Sequence, residues 1–421
     1  MRIRNGLGAR RGGPTCSALG MTLVFLVILE GTGPAGGQEV DSWHGKEVVL
    51  QSPETELIVG SEVVATGKYH RVFQVKRVKG NWLLLASGNV IGWVDRDEVI
   101  SFDQAMEGCN REIGDGSNPG LAYAKRGNLW FDKQDWQHAL ADFNEALQRD
   151  PKNTVLWRNR GLVWSRLKEE NQAIADYSAA IQLDPNHGDA FESRGRSWTN
   201  LGEYDRAIAD YSEALRLNPN DAMALEGRGL ALLNKQEYDL VIADMTEALR
   251  LNPRLARAYS CRGAALASKK EYERALADFD EAIKRDPNDV EAYDGEATIW
   301  ATCPVGRYRD GRRAVESATI ACKLHEWTCA NCLDTLAAAH AEAGRFDEAI
   351  RWQNKALEVL QGDNRDRNSF RARLALYQAR KPYHGDPSGP ENALAVSPPP
   401  RNSGNRSRPN ETRGSSSAST R

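Results

Sequence analysis

The sequence predicts a mainly α fold, a solenoid of helical hairpins preceded by a small all-β barrel. Three observations predict it: prolines recur at one fixed interval, arginine-glycine pairs recur in step with them, and short strand-like runs replace helical periodicity before residue 102. Such a fixed interval, here called the repeat length, is typical of stacked repeats, each burying its apolar face against its neighbours. The prolines are Pro151, Pro185, Pro219, Pro253 and Pro287, and the pairs begin at Arg126, Arg160, Arg194, Arg228 and Arg262.

Residues 1–37 have the pattern of a secretory signal peptide. A basic leader with Arg2 and Arg4 precedes an apolar run at 18–29, and small residues follow at 35–37. The apolar run is shorter than the roughly 20 residues that span a bilayer. We therefore expect an exported chain, periplasmic or extracellular, with no membrane span after cleavage. The net charge of -3 gives no sign of a nucleic-acid binder.

Residues 42–102 contain short runs of β-forming residues separated by Gly, Pro, Asn and Asp, which favour a small barrel. Gly80-Asn81-Trp82 and Gly92-Trp93-Val94 resemble motifs of the bacterial Src-homology-3-like barrel. The resemblance implies a module that binds peptides or peptidoglycan, or a spacer. We expect Trp82 and Trp93 in the barrel core. Residues 103–117, with four Gly or Asn residues, are predicted as a linker. The expected strands are 47–50, 62–65, 71–75, 82–85 and 92–94.

One repeat, at residues 188–221, shows how each hairpin is specified. Small and aromatic residues recur at helical spacing on two segments that Gly202 separates, and Pro219 closes the second segment. Gly195 and Ala207 allow the two helix backbones to approach closely, while the aromatic side chains fill the space around that contact. The spaced residues are Phe191, Gly195 and Trp198 on the first segment, and Ala207, Tyr211 and Ala214 on the second.

These positions resemble the tetratricopeptide repeat family, whose pattern the copies follow in one register. The resemblance implies seven repeats over residues 118–360, five regular and two irregular. The sixth carries an insertion around 303–307, and the seventh lacks the closing proline. Residues 361–385 are predicted as a capping helix and 386–421 as a disordered tail. In the first copy the matching residues are Tyr123, Gly127, Trp130, Ala139, Phe143, Ala146 and Pro151.

Each regular repeat also carries one arginine and one aspartate at fixed positions. Hairpin geometry should place Arg126 beside Asp142, and the other four pairs likewise. We interpret them as structural ion pairs, because partly buried charges are normally paired. The alternative is a row of arginines that bind an acidic ligand. The remaining aspartates are Asp176, Asp210, Asp244 and Asp278.

The family resemblance implies that a protein or peptide partner binds the concave face, which the first helices form. Asn128 and Asn159 match asparagines that hold a peptide's terminal carboxylate in some relatives. Ala124 replaces the lysine of that clamp, and Asp189 and Ser193 stand where basic residues are needed, so the match covers only part of it. A solvated face without a ligand remains the alternative. The candidate binding residues are Lys125, Asn128, Arg158, Asn159, Leu162, Arg166, Glu192, Arg196 and Asn200.

Three cysteines and a histidine lie close together in the chain: Cys322, His325, Cys329 and Cys332. In an exported chain such cysteines commonly form a disulfide. Buried free thiols, a zinc site and a redox pair remain the alternatives.

The sequence contains no nucleophile elbow, phosphate-binding glycine loop or zinc-protease motif. We therefore expect a non-enzymatic adaptor without a cofactor. The alternatives are a cell-wall binder that acts through the barrel and a thiol or metal protein built on the cysteine cluster.

Overall fold

The computed structural model describes residues 43–51, 55–59, 62–66, 72–87, 90–360 and 364–385. The predicted signal peptide and disordered tail lie outside these residues. The chain divides into two compact units, residues 1–190 and 191–421. Among the described residues, no helix is both long and apolar enough to cross a membrane.

The described residues of the first unit begin with a seven-stranded antiparallel sheet. Two strands, β2 and β7, were not predicted, and β4, β5 and β6 are longer than expected. The strand order is β3-β2-β6-β5-β4-β1-β7. The sheet curls into a half-barrel, roughly as the predicted barrel requires. The strands are β1 (Glu47–Leu50), β2 (Glu56–Val59), β3 (Glu62–Thr66), β4 (Val72–Lys79), β5 (Trp82–Ser87), β6 (Val90–Asp95) and β7 (Val99–Ser101).

The expected core position of Trp82 and Trp93 is wrong. Strand alternation buries Leu83, Leu85 and Val94 on one face of the sheet. Trp82 and Trp93, at odd offsets from them, lie partly buried on the other face. The buried cluster of the sheet is formed by Val48, Leu50, Leu57, Phe73, Val75, Leu83, Leu85, Val94 and Val99.

The prediction of a linker at 103–117 is also wrong, because most of it forms helix α1 (Phe102–Asp115). Ser101 caps the helix in a reciprocal capping box with Gln104, and Gly116 ends it in the left-handed conformation. Helix α1 begins one repeat length before the second helix of the first repeat. It packs on the next helix as a half-repeat would.

In the first unit, two complete hairpins follow α1, and α6 begins at the end of the unit. Asp132 at the end of α2 accepts a hydrogen bond from the backbone N–H of Val72 at 2.7 Å, and Lys133 pairs with Glu47. These contacts join the sheet to the repeats. The helices are α2 (Pro119–Asp132), α3 (Trp136–Arg149), α4 (Thr154–Arg166) and α5 (Glu170–Leu183).

The described part of the second unit contains most of α6 and ten further α-helices. The predicted insertion in the sixth repeat forms a short 3-10 turn at Gly306–Tyr308. The predicted cap is α16, which buries Phe370 and Tyr377. The helices are α6 (Gly188–Leu201), α7 (Tyr204–Leu217), α8 (Ala222–Asn234), α9 (Tyr238–Leu251), α10 (Ala256–Ser268), α11 (Tyr272–Arg285), α12 (Val290–Thr302), α13 (Gly311–Leu324), α14 (Ala330–Glu342), α15 (Phe346–Val359) and α16 (Asn364–Gln378).

Close helix approach within each of the five regular hairpins depends on glycine, as predicted. A Cβ atom on Gly161 would lie 2.6 Å from the ring of Tyr177, and one on Gly127 would lie 3.0 Å from the ring of Phe143. The aromatic ring occupies the space that any side chain would need.

All five arginine-aspartate pairs form as expected. In each, Nε donates to one carboxylate oxygen at 2.8 Å and Nη2 donates to the other at 2.7 or 2.8 Å. Nη1 also reaches the preceding hairpin: Arg160 donates to Asn144 at 2.7 Å, and Arg126 donates to Asn110 of α1 at 2.6 Å. The arginines therefore join neighbouring repeats, and α1 provides the partner for the first of them.

Candidate functional site

The first unit has a groove of about 740 Å³ along the first helices of its repeats. Five of the nine predicted binding residues line it, and their role in binding stays a prediction. Two aliphatic side chains on its wall face solvent: Leu121 is 50 % exposed and Val155 is 54 % exposed. The five predicted residues are Lys125, Asn128, Arg158, Asn159 and Leu162. Leu121, Ala124, Phe131, Asp132, Phe143, Asn153, Val155, Leu156, His187 and Asp189 line the rest.

Asn128 and Asn159 meet on the wall of the groove. Nδ2 of Asn159 donates to Oδ1 of Asn128 at 3.1 Å, from α4 to α2. An asparagine amide has two donor hydrogens and an acceptor oxygen with two lone pairs, so one shared bond uses only part of the capacity of the pair. The pair can therefore offer N–H donors and a C=O acceptor to a peptide backbone in the groove.

The charges of the groove are mixed. Lys125 forms an ion pair with Glu112 at 3.2 Å, and Nε of Arg158 donates to the backbone oxygen of Asp189 at 3.4 Å. Burial lowers the pKa of His187; the Asp189 carboxylate opposes this shift, and the Arg158 cation adds to it. No single sign of charge therefore dominates the groove.

The other four predicted residues have different surroundings. Arg166 is exposed, and its guanidinium lies 6.0 Å from the ring centre of Phe131. In the second unit, Arg196 pairs with Glu192 one helical turn away at 3.1 Å, and Asn200 is exposed on the same helix.

A second candidate site lies in the second unit, where α13 turns into α14. The ligand atoms of His325, Cys329 and Cys332 all lie within 4.8 Å of one another. The Sγ atoms of Cys329 and Cys332 are 2.8 Å apart. All six cysteines in the described part of the chain are free thiols. The disulfide expected for an exported chain therefore stays a prediction. Cys322 is buried nearby and does not belong to this three-residue group.

The turn between the two helices fixes the cluster. Glu326 and Trp327 both have positive φ, at 50° and 61°, a conformation that non-glycine residues rarely adopt. The backbone N–H of Trp327 donates to the oxygen of Cys322 at 2.8 Å, and its ring stacks on Trp352 at 5.1 Å. These contacts fix the conformation of the turn, with His325 at its start and Cys329 at its end.

The two thiols differ in acidity because of their places on α14. Cys329 is the N-cap, and the hydrogen bond from the Cys332 thiol, together with the Cys332 backbone N–H, lowers its pKa. The same hydrogen bond and burial raise the pKa of Cys332. Of the pair, Cys329 is therefore the more acidic thiol.

Sequence reasoning missed Asp294, which lines the cavity that holds this cluster. Its Oδ1 atom is buried and has no hydrogen-bond partner, and burial raises the pKa of the carboxyl to about 6. Asp294 comes from α12, two helices before the cysteine pair on α14. Spacing along the chain therefore gave no signal for it.

Sequence comparison identifies the class of protein. Residues 120–153, 156–187, 256–289 and 329–361 match models described as tetratricopeptide repeat, and residues 195–236 match one described as TPR repeat. Together with the helical hairpins, these matches show that the chain belongs to the tetratricopeptide repeat proteins, as the resemblance predicted. No curated protein gave a significant match.

Solved structures resemble the chain at low identity. A tetratricopeptide repeat protein from Parabacteroides merdae is 21% identical, with 62% of this chain and 98% of that chain covered and a TM-score of 0.45. MamA (41-end) from Desulfovibrio magneticus RS-1 is 18% identical, with 41% and 97% covered and a TM-score of 0.38. YrrB, described as a TPR protein with an unusual peptide-binding site, is 18% identical, with 56% and 97% covered and a TM-score of 0.34.

Proposed function

We propose that this chain is an interaction scaffold that binds an extended segment of a partner protein in the groove of its first unit. The observation that carries the proposal is the coincidence of exposed apolar side chains with the asparagine pair. Leu121 and Val155 each lie in the first turn of the first helix of a repeat and leave about half of their surface in water. Covering such side chains with a partner removes apolar area from water, which favours binding.

The asparagine pair supplies the polar part of recognition. A peptide in extended conformation has unpaired backbone N–H and C=O groups, which need partners once they leave water. Asn128 and Asn159 can provide both kinds of partner within one contact. We therefore expect a peptide with apolar side chains next to its asparagine contacts and little dependence on its net charge.

Selection of peptides from a random displayed library on the immobilised full chain tests this proposal. We expect enriched sequences to lose binding to the double variant Leu121→Asp, Val155→Asp. Both side chains are half in water, so the substitutions leave the hairpin core intact. Leu240→Asp is the matched control, since Leu240 is 54 % exposed on α9. Equal binding to all three proteins would refute the groove as the site.

We also propose that the scaffold acts outside the cytoplasm, as its basic and apolar leader predicts. A mass measurement on protein from the envelope fraction tests this. A mature chain that starts just after residues 35–37 supports the proposal, and an intact leader on cytoplasmic protein contradicts it.

A further inference from the structure

The cysteine cavity of the second unit provides a donor set that suits a thiophilic divalent cation. His325, Cys329 and Cys332 follow one another with spacings of three and two intervening residues, across the turn from α13 to α14. Two thiolates and an imidazole are preferred ligands of zinc. A tetrahedral zinc ion places its ligand atoms about 3.3–3.8 Å apart. The three ligand atoms already lie within 4.8 Å of one another, and the two Sγ atoms, now 2.8 Å apart, would separate to reach that spacing.

Asp294 adds an independent observation. It lines the same cavity as the three ligands, outside their 4.8 Å group. Thr335 hydrogen-bonds to its carboxyl, but its buried Oδ1 atom has no hydrogen-bond partner. A buried carboxylate oxygen without a partner is costly. A cation in the cavity would provide the missing partner and would offset the negative charge of the thiolates.

We propose that His325, Cys329, Cys332 and Asp294 form a zinc site that ties α12, α13 and α14 together at the junction of the sixth and seventh repeats. The site is independent of the groove in the first unit and does not require that the groove bind a peptide. Its role is structural, because four protein donors fill the tetrahedral coordination of zinc and leave no open position for a substrate.

Titration of the reduced full chain with Co²⁺, followed by displacement with Zn²⁺, tests the proposal. We expect one Co²⁺ per chain with thiolate charge-transfer absorption, and a zinc Kd below about 1 µM in competition with a coloured chelator. The double variant Cys329→Ser, Cys332→Ser should lose the charge-transfer bands. His325→Ala and Asp294→Asn should each weaken zinc binding by about tenfold or more.

Cys261→Ser is the matched control, because Cys261 is a buried thiol that lines the same cavity outside the ligand group. It should bind zinc with a Kd within about twofold of that of the unaltered chain, and circular dichroism of each variant checks that the helices form.

Loss of metal in Cys261→Ser alone would overturn the ligand assignment. Unchanged affinity in Asp294→Asn would remove Asp294 from it. A folded chain that binds no metal but forms a Cys329–Cys332 disulfide with oxidised glutathione would overturn the site in favour of a redox dithiol.

Discussion

In the sixth repeat, Oγ of Ser317 donates a hydrogen bond to Oε2 of Glu296 at 3.2 Å, where the five preceding repeats have an arginine paired with an aspartate. Glu296 lies one repeat length after Arg262. Ser317 lies one repeat length plus the five-residue insertion after Asp278. The row of five arginine-aspartate ion pairs, here called the ion-pair ladder, is thus followed by a buried glutamate, Glu296. Burial, together with a hydrogen bond with Asp280, raises the pKa of Glu296 to about 8.

The presence of Glu296 in place of the arginine predicts that the stability of the fold depends on pH. A carboxyl whose pKa rises from 4.5 to about 8 on folding stabilises the fold fully below pH 4.5 and loses that contribution as the pH rises to 8. We expect the unfolding free energy to fall by roughly 2 kcal/mol or more between pH 5 and pH 8 through this residue. Glu296→Gln, which stays neutral and keeps the hydrogen bond from Ser317, should remove that part of the change in unfolding free energy with pH.

Urea denaturation at several pH values measures the unfolding free energy, with exposed Glu316→Gln as control. Parallel pH profiles of Glu296→Gln and the unaltered chain would contradict the assignment.

The ladder itself predicts a loss of stability when one partner is removed. Asp176→Ala leaves the guanidinium of Arg160, which is largely buried against Trp157, without its bidentate partner. We expect a loss of about 2–3 kcal/mol in urea denaturation. The exposed Arg312–Glu316 pair is the control, and Glu316→Ala should change stability by no more than about 0.5 kcal/mol. Equal effects of the two substitutions would argue against a structural role for the ladder.

Two glycines predict opposite effects of the same substitution. Gly161→Ala places a methyl group against Tyr177 and should destabilise the chain by about 1–3 kcal/mol. Gly108→Ala, in α1, meets no atom within 4 Å and should stabilise the chain by about 0.5–1 kcal/mol, because alanine favours a helix. Thermal unfolding of both variants measures the pair. Destabilisation by Gly108→Ala would show that residues 102–115 are not a helix in solution.

Much of the fold could be predicted from the sequence because the same residue pattern recurs in each regular repeat. Five copies of this pattern predicted the hairpins, the glycine contacts and the arginine-aspartate pairs. Helix α1 was missed because its glycines suggested a linker. Yet Ala105 and Cys109 lie one repeat length before Ala139 and Phe143, so an extension of the register by half a repeat would have found it.

The errors in the sheet and the gaps in the sites have physical reasons as well. Trp82 and Trp93 are large and apolar, but alternation assigned the buried face to Leu83, Leu85 and Val94. In the groove, repeat positions indicated the asparagines but not the exposure of Leu121 and Val155, which depends on neighbouring helices. A periodic pattern indicates which residues share a face, and it does not indicate how much of that face stays in water.

The affinity of a selected peptide for the asparagine variants tests the central claim most directly. Asn128→Ala with Asn159→Ala should weaken binding at least about tenfold, since two hydrogen bonds contribute roughly 1–3 kcal/mol. Asn220→Ala with Asn288→Ala changes two exposed asparagines of the second unit and should leave the Kd within about twofold. Fluorescence anisotropy with the labelled peptide measures all three proteins. Equal Kd values for the two double variants would contradict binding in the groove.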